Sequence, residues 1–272
     1  MAFCKLLTVL VLIHNTGGLL GAEVKSSIIG GKDAVKDRWP WMVHINITTS
    51  EGIDNWRCGG SIVRDQWVLT AASCWDDQRK PSLRRSMVWI GAYKLHEEPT
   101  RYVGVNNVIK HPQYRSFAEG YQNNIALVYL KKKLTDKQGG RVDLPKANDN
   151  LQASSDCWIA GWGNIKNDAP LPYPEALQEL KIPIVSDKDC KAAYPWLTSK
   201  ELCAGDKAGD TCTGDEGGPL ACSVGGEFKQ VGIVSYESCK PGNRPGLYTR
   251  VSEYLDFINS YIHRGEEASA EV

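Results

Sequence analysis

The sequence predicts an all-β domain of many short strands, closed by one C-terminal helix. Short apolar runs rich in β-branched and aromatic residues recur between Gly, Pro, Asn and Asp from about residue 28 to 260. No long stretch keeps a helical period until the end of the chain. The length of 272 residues, with 42% hydrophobic residues, suits one large domain or two small ones sharing an interface.

In chain order, the clearest expected strands are Trp41–Ile45, Trp67–Thr70, Val88–Ile90, Ile125–Leu130 and Gln230–Val234. The segment from Leu134 to Asn150, rich in charge, Gly and Asn, reads as a connection between two halves. Val251, Tyr254, Leu255, Ile258 and Ile262 share one helical face, with Ser252 as the expected cap. The polar tail at 265–272 is expected to be unstructured. Nine tryptophans suggest a well-filled core and aromatic-rich loops. Pattern alone leaves sandwich and barrel both open.

The N-terminus reads as a secretory signal over about residues 1–22. Lys5 precedes the apolar run Leu6–Ile13, and small residues follow up to Ala22. That run is too short to span a bilayer, and no other run is longer, so no membrane span is expected. Cleavage after Gly18 or after Ala22 fits. Either removes Cys4 and leaves Cys58, Cys74, Cys157, Cys190, Cys203, Cys212, Cys222 and Cys239. An even set in a secreted chain points to four disulfides, with all of about 105 pairings open. Zinc would need paired short Cys-x-x-Cys clusters or neighbouring His, and neither is there. Asn46-Ile47-Thr48 is an N-glycosylation sequon. Lys and Arg balance Asp and Glu at 32 each, so no global bias toward nucleic acid exists. Arg84-Arg85 and Lys131-Lys132-Lys133 are local basic spots. They read as solvated loop or edge positions, with an anionic glycan or lipid site as the alternative.

Several landmarks in order resemble the trypsin-like serine proteases. They are Ile28-Ile29-Gly30-Gly31, Cys58-Gly59-Gly60-Ser61, Trp67 through Cys74, Asn124-Ile125-Ala126-Leu127, Cys157 through Gly163, Gly214-Asp215-Glu216-Gly217-Gly218-Pro219, Ile233-Val234-Ser235 and Pro245 through Val251. The likeness covers about residues 28–262. It implies two six-stranded antiparallel barrels, at about 28–135 and about 145–264, a cleft between them, and a short pro-segment remnant at 23–27. It also implies the pairs Cys58–Cys74, Cys157–Cys222, Cys190–Cys203 and Cys212–Cys239, which use all eight cysteines.

The family chemistry needs a hydroxyl nucleophile, an imidazole base and an orienting carboxylate. At the matching positions stand Glu216, Ser73 and Asn124. Ser73 has no obvious base in the family frame, and Glu216 would have to activate a hydroxyl far above its own pKa. The resemblance assigns a remnant specificity pocket to Asp210, Ser235, Glu237 and Gly246, and a remnant oxyanion hole to Gly214 with Glu216. Glu237 stands where the family has a pocket-mouth glycine. Asp210, Asp215, Glu216 and Glu237 are expected to make the cleft acidic. Ala92 follows Gly91 where the family has a calcium-ligating carboxylate, so no metal is expected, and no cofactor. Ser27 precedes Ile28, where activation would require Arg or Lys. The reading is a secreted, monomeric pseudo-protease that binds a protein partner. The alternatives are a serine-type endopeptidase with an unusual catalytic set, and a structural or carrier protein of a secreted fluid.

Overall fold

The computed structural model describes residues 31–97, 101–135, 138–149, 151, 155–163, 171–205, 215–236 and 244–270, with side chains to 262. The signal, the pro-segment remnant, Asp210, Cys212, Gly214, Glu237 and Cys239 lie outside the described residues.

The first half carries β1 (Lys32–Asp33), β2 (Met42–Thr48), β3 (Asn55–Arg64), β4 (Trp67–Thr70), β5 (Met87–Ile90), β6 (Arg101–Lys110), β7 (Arg115–Phe117), β8 (Gly120–Gln122) and β9 (Ala126–Leu130). Six of these close into an antiparallel barrel in the order β2-β3-β4-β9-β6-β5. The period-2 pattern explains why. Val43, Ile45 and Ile47 on β2, Val88 and Ile90 on β5, and Val103 and Val105 on β6 alternate inward and are buried. β7 and β8 form a separate hairpin. The sequon residue Asn46 lies inside β2, paired to Arg57 and to Met87.

The second half carries β10 (Cys157–Gly161), β11 (Gln178–Lys181), β12 (Glu201–Ala204), β13 (Pro219–Val224), β14 (Glu227–Tyr236) and β15 (Gly246–Arg250). A second closed six-stranded barrel is not seen among the described residues. The strands of this half form a seven-stranded sheet, β1-β11-β10-β13-β14-β15-β12, with β1 added from the N-terminal segment. Among the described residues, the segment after β11 meets the edge strand β12 through an Ile184–Ala204 bridge, flanked by Val185 N–H to Cys203 O at 2.9 Å and Gly205 N–H to Pro183 O at 2.8 Å. Pro183 cannot donate to a ladder, which keeps this seam from becoming a full strand pair. Buried Glu179 on β11 anchors the N-terminal segment, accepting from Trp39 Nε1 at 2.8 Å and from Arg38 at 2.9 Å.

The segment after β9 is a connection, as expected. Gly140 N–H reaches Pro40 O and Val142 N–H reaches Ile62 O, each at 3.0 Å, and Gln230 N–H reaches Asp143 O at 2.8 Å. Among the described residues three disulfides are present: Cys58–Cys74, Cys157–Cys222 and Cys190–Cys203. Cys212–Cys239 lies outside the described residues.

The helix α1 (Asp187–Ala193) starts at a Ser186 cap, and α2 (Leu255–Ala270) ends the chain. Ser252 is not its cap. It lies inside a 3-10 turn, Val251–Tyr254, that follows Arg250 and leads into α2. The helix runs on past Arg264 into the polar stretch expected to be a tail, because helical hydrogen bonding continues beyond the last apolar residue of the docked face. Val251, Tyr254, Ile258 and Ile262 are that face, and all are buried. Among the described residues no helix is long and apolar enough to cross a membrane.

Candidate functional site

Three loops set the site. Ser73 opens a 3-10 turn just after β4, pinned by the Cys58–Cys74 disulfide. Asn124 precedes β9, and Thr249 Oγ1 holds its carbonyl at 2.9 Å. Glu216 lies in the turn before β13. Its carbonyl accepts from Gly59 N–H at 2.8 Å, while Gly217 N–H reaches Val234 O at 2.9 Å. Gly217 has φ +83°, and a Cβ there would lie 2.6 Å from Gly59 O, so only glycine fits this turn. A Cβ on Gly59 would lie 2.8 Å from Gly218 Cα, so the two halves meet backbone to backbone beneath the site.

These loops bring Ser73, Asn124, Glu216 and Ser235 into one network. Asn124 Oδ1 accepts from Ser73 N–H at 2.8 Å. Asn124 Nδ2 faces Ser73 Oγ at 2.9 Å, Ser235 Oγ at 3.0 Å and Ser235 O at 3.2 Å. Ser73 Oγ donates to a Glu216 carboxyl oxygen. The group within reach of Ser73 Oγ is Glu216, the one candidate base the sequence offered. Sequence spacing could not show this, because 143 residues separate them. Ser73 is 4% exposed, Asn124 1% and Ser235 2%.

Burial pushes the Glu216 carboxyl up to about 7. The Ser73 hydroxyl and the Arg79 guanidinium pull the other way, and Asp76 adds to the rise. Of the carboxylates expected to make the cleft acidic, Asp210 and Glu237 lie outside the described residues. Among the described residues, Asp76 is a carboxylate whose charge raises Glu216. Asp215 is buried and turns to Gly163, accepting its N–H at 2.9 Å. Around Glu216, Arg79 stacks on Trp56 at 3.8 Å, Tyr114 O–H donates to Asp76 at 2.9 Å, and Tyr121 stacks on Tyr114. Sequence reading missed all of these. They come from four separate segments and carry no motif.

No described histidine bonds to Ser73, Asn124 or Glu216. His44 is buried edge-on to Trp162, His96 stacks on Tyr173 beside Glu175, and His111 packs on Tyr254 and Phe257. Cys58, Cys74 and Glu216 have ligand atoms close enough to share a metal ion. Both sulfurs are committed to a disulfide, which leaves one ligand only. Of the remnant pocket residues, Ser235 belongs to the network. Gly246 lies against the Tyr248 ring, where a Cβ would be 3.1 Å from it.

The network has limited chemistry. A carboxyl near neutrality can exchange a proton with a hydroxyl, but Ser73 Oγ also accepts from Asn124 and is enclosed. An attacking oxygen must reach its carbon to about 3–3.5 Å in line.

A family model described as Trypsin matches residues 28–258. The chain is 34% identical to coagulation factor XI of Bos taurus over 267 residues, covering 91% of this chain and 42% of that protein. It is 34% identical to a tryptase of Mus musculus over 264 residues, covering 92% and 93% of the two chains. It is 34% identical to serine protease 28 of Mus musculus over 278 residues, covering 96% and 99%. The chain therefore spans less than half the length of the factor XI relative and nearly all of the other two.

Proposed function

Because the chain belongs to the trypsin-like serine protease family, we propose that it is a secreted member that binds a protein partner in its cleft without cutting it. One observation carries this reading: Asn124, Ser73 and Glu216, the residues that the resemblance aligns with the family's orienting carboxylate, imidazole and nucleophile, are tied to one another by hydrogen bonds. Among the described residues no imidazole bonds to this network to shuttle a proton between nucleophile and leaving group. The secreted setting is supported by three disulfides, which persist in oxidising compartments. The binding face is the wall beside Glu216, where Trp56 with Arg79 and Tyr114 with Tyr121 offer aromatic and cationic anchors of the kind that dominate protein interfaces.

A second reading has its own observation. Ser73 and Glu216 are hydrogen-bonded, and a carboxyl near 7 sits in the useful range for a general base. In it Ser73 would be the nucleophile. The enclosure of Ser73 disfavours this.

The test uses purified full-length protein on a broad peptide library, with a covalent serine-hydrolase probe in parallel. No cleavage and no labelling are expected. Cleavage lost in both Ser73→Ala and Glu216→Gln would replace the binding reading with the second one. For binding, a partner captured from extracellular fluid should be lost with Arg79→Ala and retained with Lys188→Gln on α1.

A further inference from the structure

Two basic motifs stand 46 residues apart in the sequence, counting from Arg85 to Lys131, and nothing above uses either. The barrel brings them to one end of one sheet. Met87 on β5 pairs with Gly104 on β6, and Gly104 O accepts from Lys131 N–H at 2.9 Å. Adjacent strands lie about 5 Å apart, so Met87 and Lys131 are about 10 Å from each other. The Lys131 side chain lies flat across β6. A Cβ on Gly104 would meet its Cδ at 3.0 Å and its Nζ at 3.4 Å. The bare backbone at Gly104 is what lets this ammonium reach over β6.

From the other side, Lys80 to Ser86 runs along the end of β2. Ser50 N–H reaches Lys80 O at 3.0 Å, and Ser82 N–H reaches Thr48 O at 2.8 Å. The Arg85 guanidinium spreads over Gly52, where a Cβ would meet Nη1 at 2.7 Å. Lys80, Arg84, Arg85 and Lys131 to Lys133 are all exposed. Among the described residues none of them forms an ion pair. Glu51 and Asp54 share the region, and three other described carboxylates nearby are engaged: Asp65 with Arg141 at 2.5 Å, Asp77 with Lys110 at 2.7 Å and Asp76 with Tyr114. The chain as a whole is neutral, so this is a local concentration of cations.

The same outward face carries a tilted aromatic pair. Trp89 and Tyr102 are the next outward pair along from Met87 and Gly104, with ring centroids 6.0 Å apart and Tyr102 61% exposed. The one cavity among those described that touches the strip, ≈ 470 Å³, has a mainly polar lining that includes Thr49, Ser50, Asn55 and Gln78. An acidic protein segment usually gains affinity from anchors seated in apolar pockets, and this strip offers none. A linear sulfated sugar needs cations in a row and a ring face to lie on. The disulfides fit a compartment where such sugars, rather than nucleic acids, are the abundant polyanions.

We propose that this end of the first barrel is a docking surface for a sulfated polysaccharide, with Lys80, Arg84, Arg85 and Lys131–Lys133 taking its sulfates and Tyr102 its sugar rings. The Lys80 end of this surface adjoins Arg79 and Trp56 at the shared cavity, while the proposal does not depend on whether the cleft cuts or binds.

The test is calorimetry of the full chain with a heparin-derived octasaccharide at about 0.05 M and about 0.5 M salt. Binding is expected at low salt and loss at high salt. Arg84→Gln with Arg85→Gln, and separately Lys131→Gln with Lys132→Gln, each weaken it about tenfold. Lys188→Gln with Lys191→Gln, exposed lysines on α1, leaves it unchanged. Thermal melts confirm that all variants fold. The proposal is overturned by absence of binding at low salt, or by equal loss in the α1 variant. It is also overturned if a polyglutamate peptide or a DNA duplex of the same charge competes as well as the octasaccharide, since either would mean that charge alone is read.

Discussion

Glu216→Gln should remove a defined slice of the protein's pH dependence. The Glu216 carboxyl titrates at about 7 when folded against 4.5 ordinarily, so the folded state holds its proton more tightly than the unfolded chain. Stability from this group is full below about 4.5 and is lost as pH rises through about 7. That interval, about 2.5 pH units at about 1.4 kcal/mol each, is worth about 3 kcal/mol at pH 8. For a chain of this size 1 kcal/mol moves Tm by about 2–4 °C, so the difference approaches about 6–12 °C. Glutamine keeps the size of the side chain and the oxygen that accepts from Ser73, but it cannot ionise. Melts of wild type and Glu216→Gln from pH 4 to pH 8 should therefore diverge, with the wild type losing more stability as pH rises. His44 acts in the opposite sense, so only the difference between the two proteins isolates Glu216. Parallel profiles across the whole range would refute a buried carboxyl held near 7 by its surroundings.

His44 is pushed down to about 3, by burial first and then by Arg57 and His96. Its share of stability is present above 6.5 and is lost as pH falls toward about 3, so His44→Gln should blunt acid unfolding in that window by on the order of 4 kcal/mol. Asn124→Asp replaces a donor to Ser73 Oγ, Ser235 Oγ and Ser235 O by a carboxylate facing those oxygens. Denaturant melts should show a loss of about 2–4 kcal/mol, and an unchanged midpoint would mean that the network adds nothing. Gly59→Ala forces a methyl to 2.8 Å from Gly218 Cα, and soluble yield and Tm should both fall, with a cost above about 2 kcal/mol. Replacing Cys157 and Cys222 by Ala opens a loop of 65 residues and should cost about 4 kcal/mol, read from urea midpoints of the two proteins.

The sequence by itself determined the all-β class and the sites of four of the nine first-half strands, because each rests on local information, while the disulfide pairs followed from the order of motifs shared with the family. β4 falls where the run Trp67–Thr70 lies, and β5 and β9 differ from their runs by one residue. Period 2, turn residues and motif order can be read along a chain. The second half was less legible. A two-residue strand such as β1 has no periodicity to detect, and the seam at Pro183 depends on what lies opposite it. The end of α2 was misread because amphipathic pattern marks the docked face of a helix, not its length. At the site, the sequence supplied Ser73, Asn124 and Glu216 and left each as a substitution without a partner. Only the tertiary structure turned Glu216 toward Ser73, set Asn124 between Ser73 and Ser235, and placed Arg79 and Asp76 where they bear on the carboxyl. Side-chain direction, desolvation and the charges from distant segments are properties of the folded interior. They decide a pKa or a hydrogen bond only after the chain has brought those segments within a few ångströms.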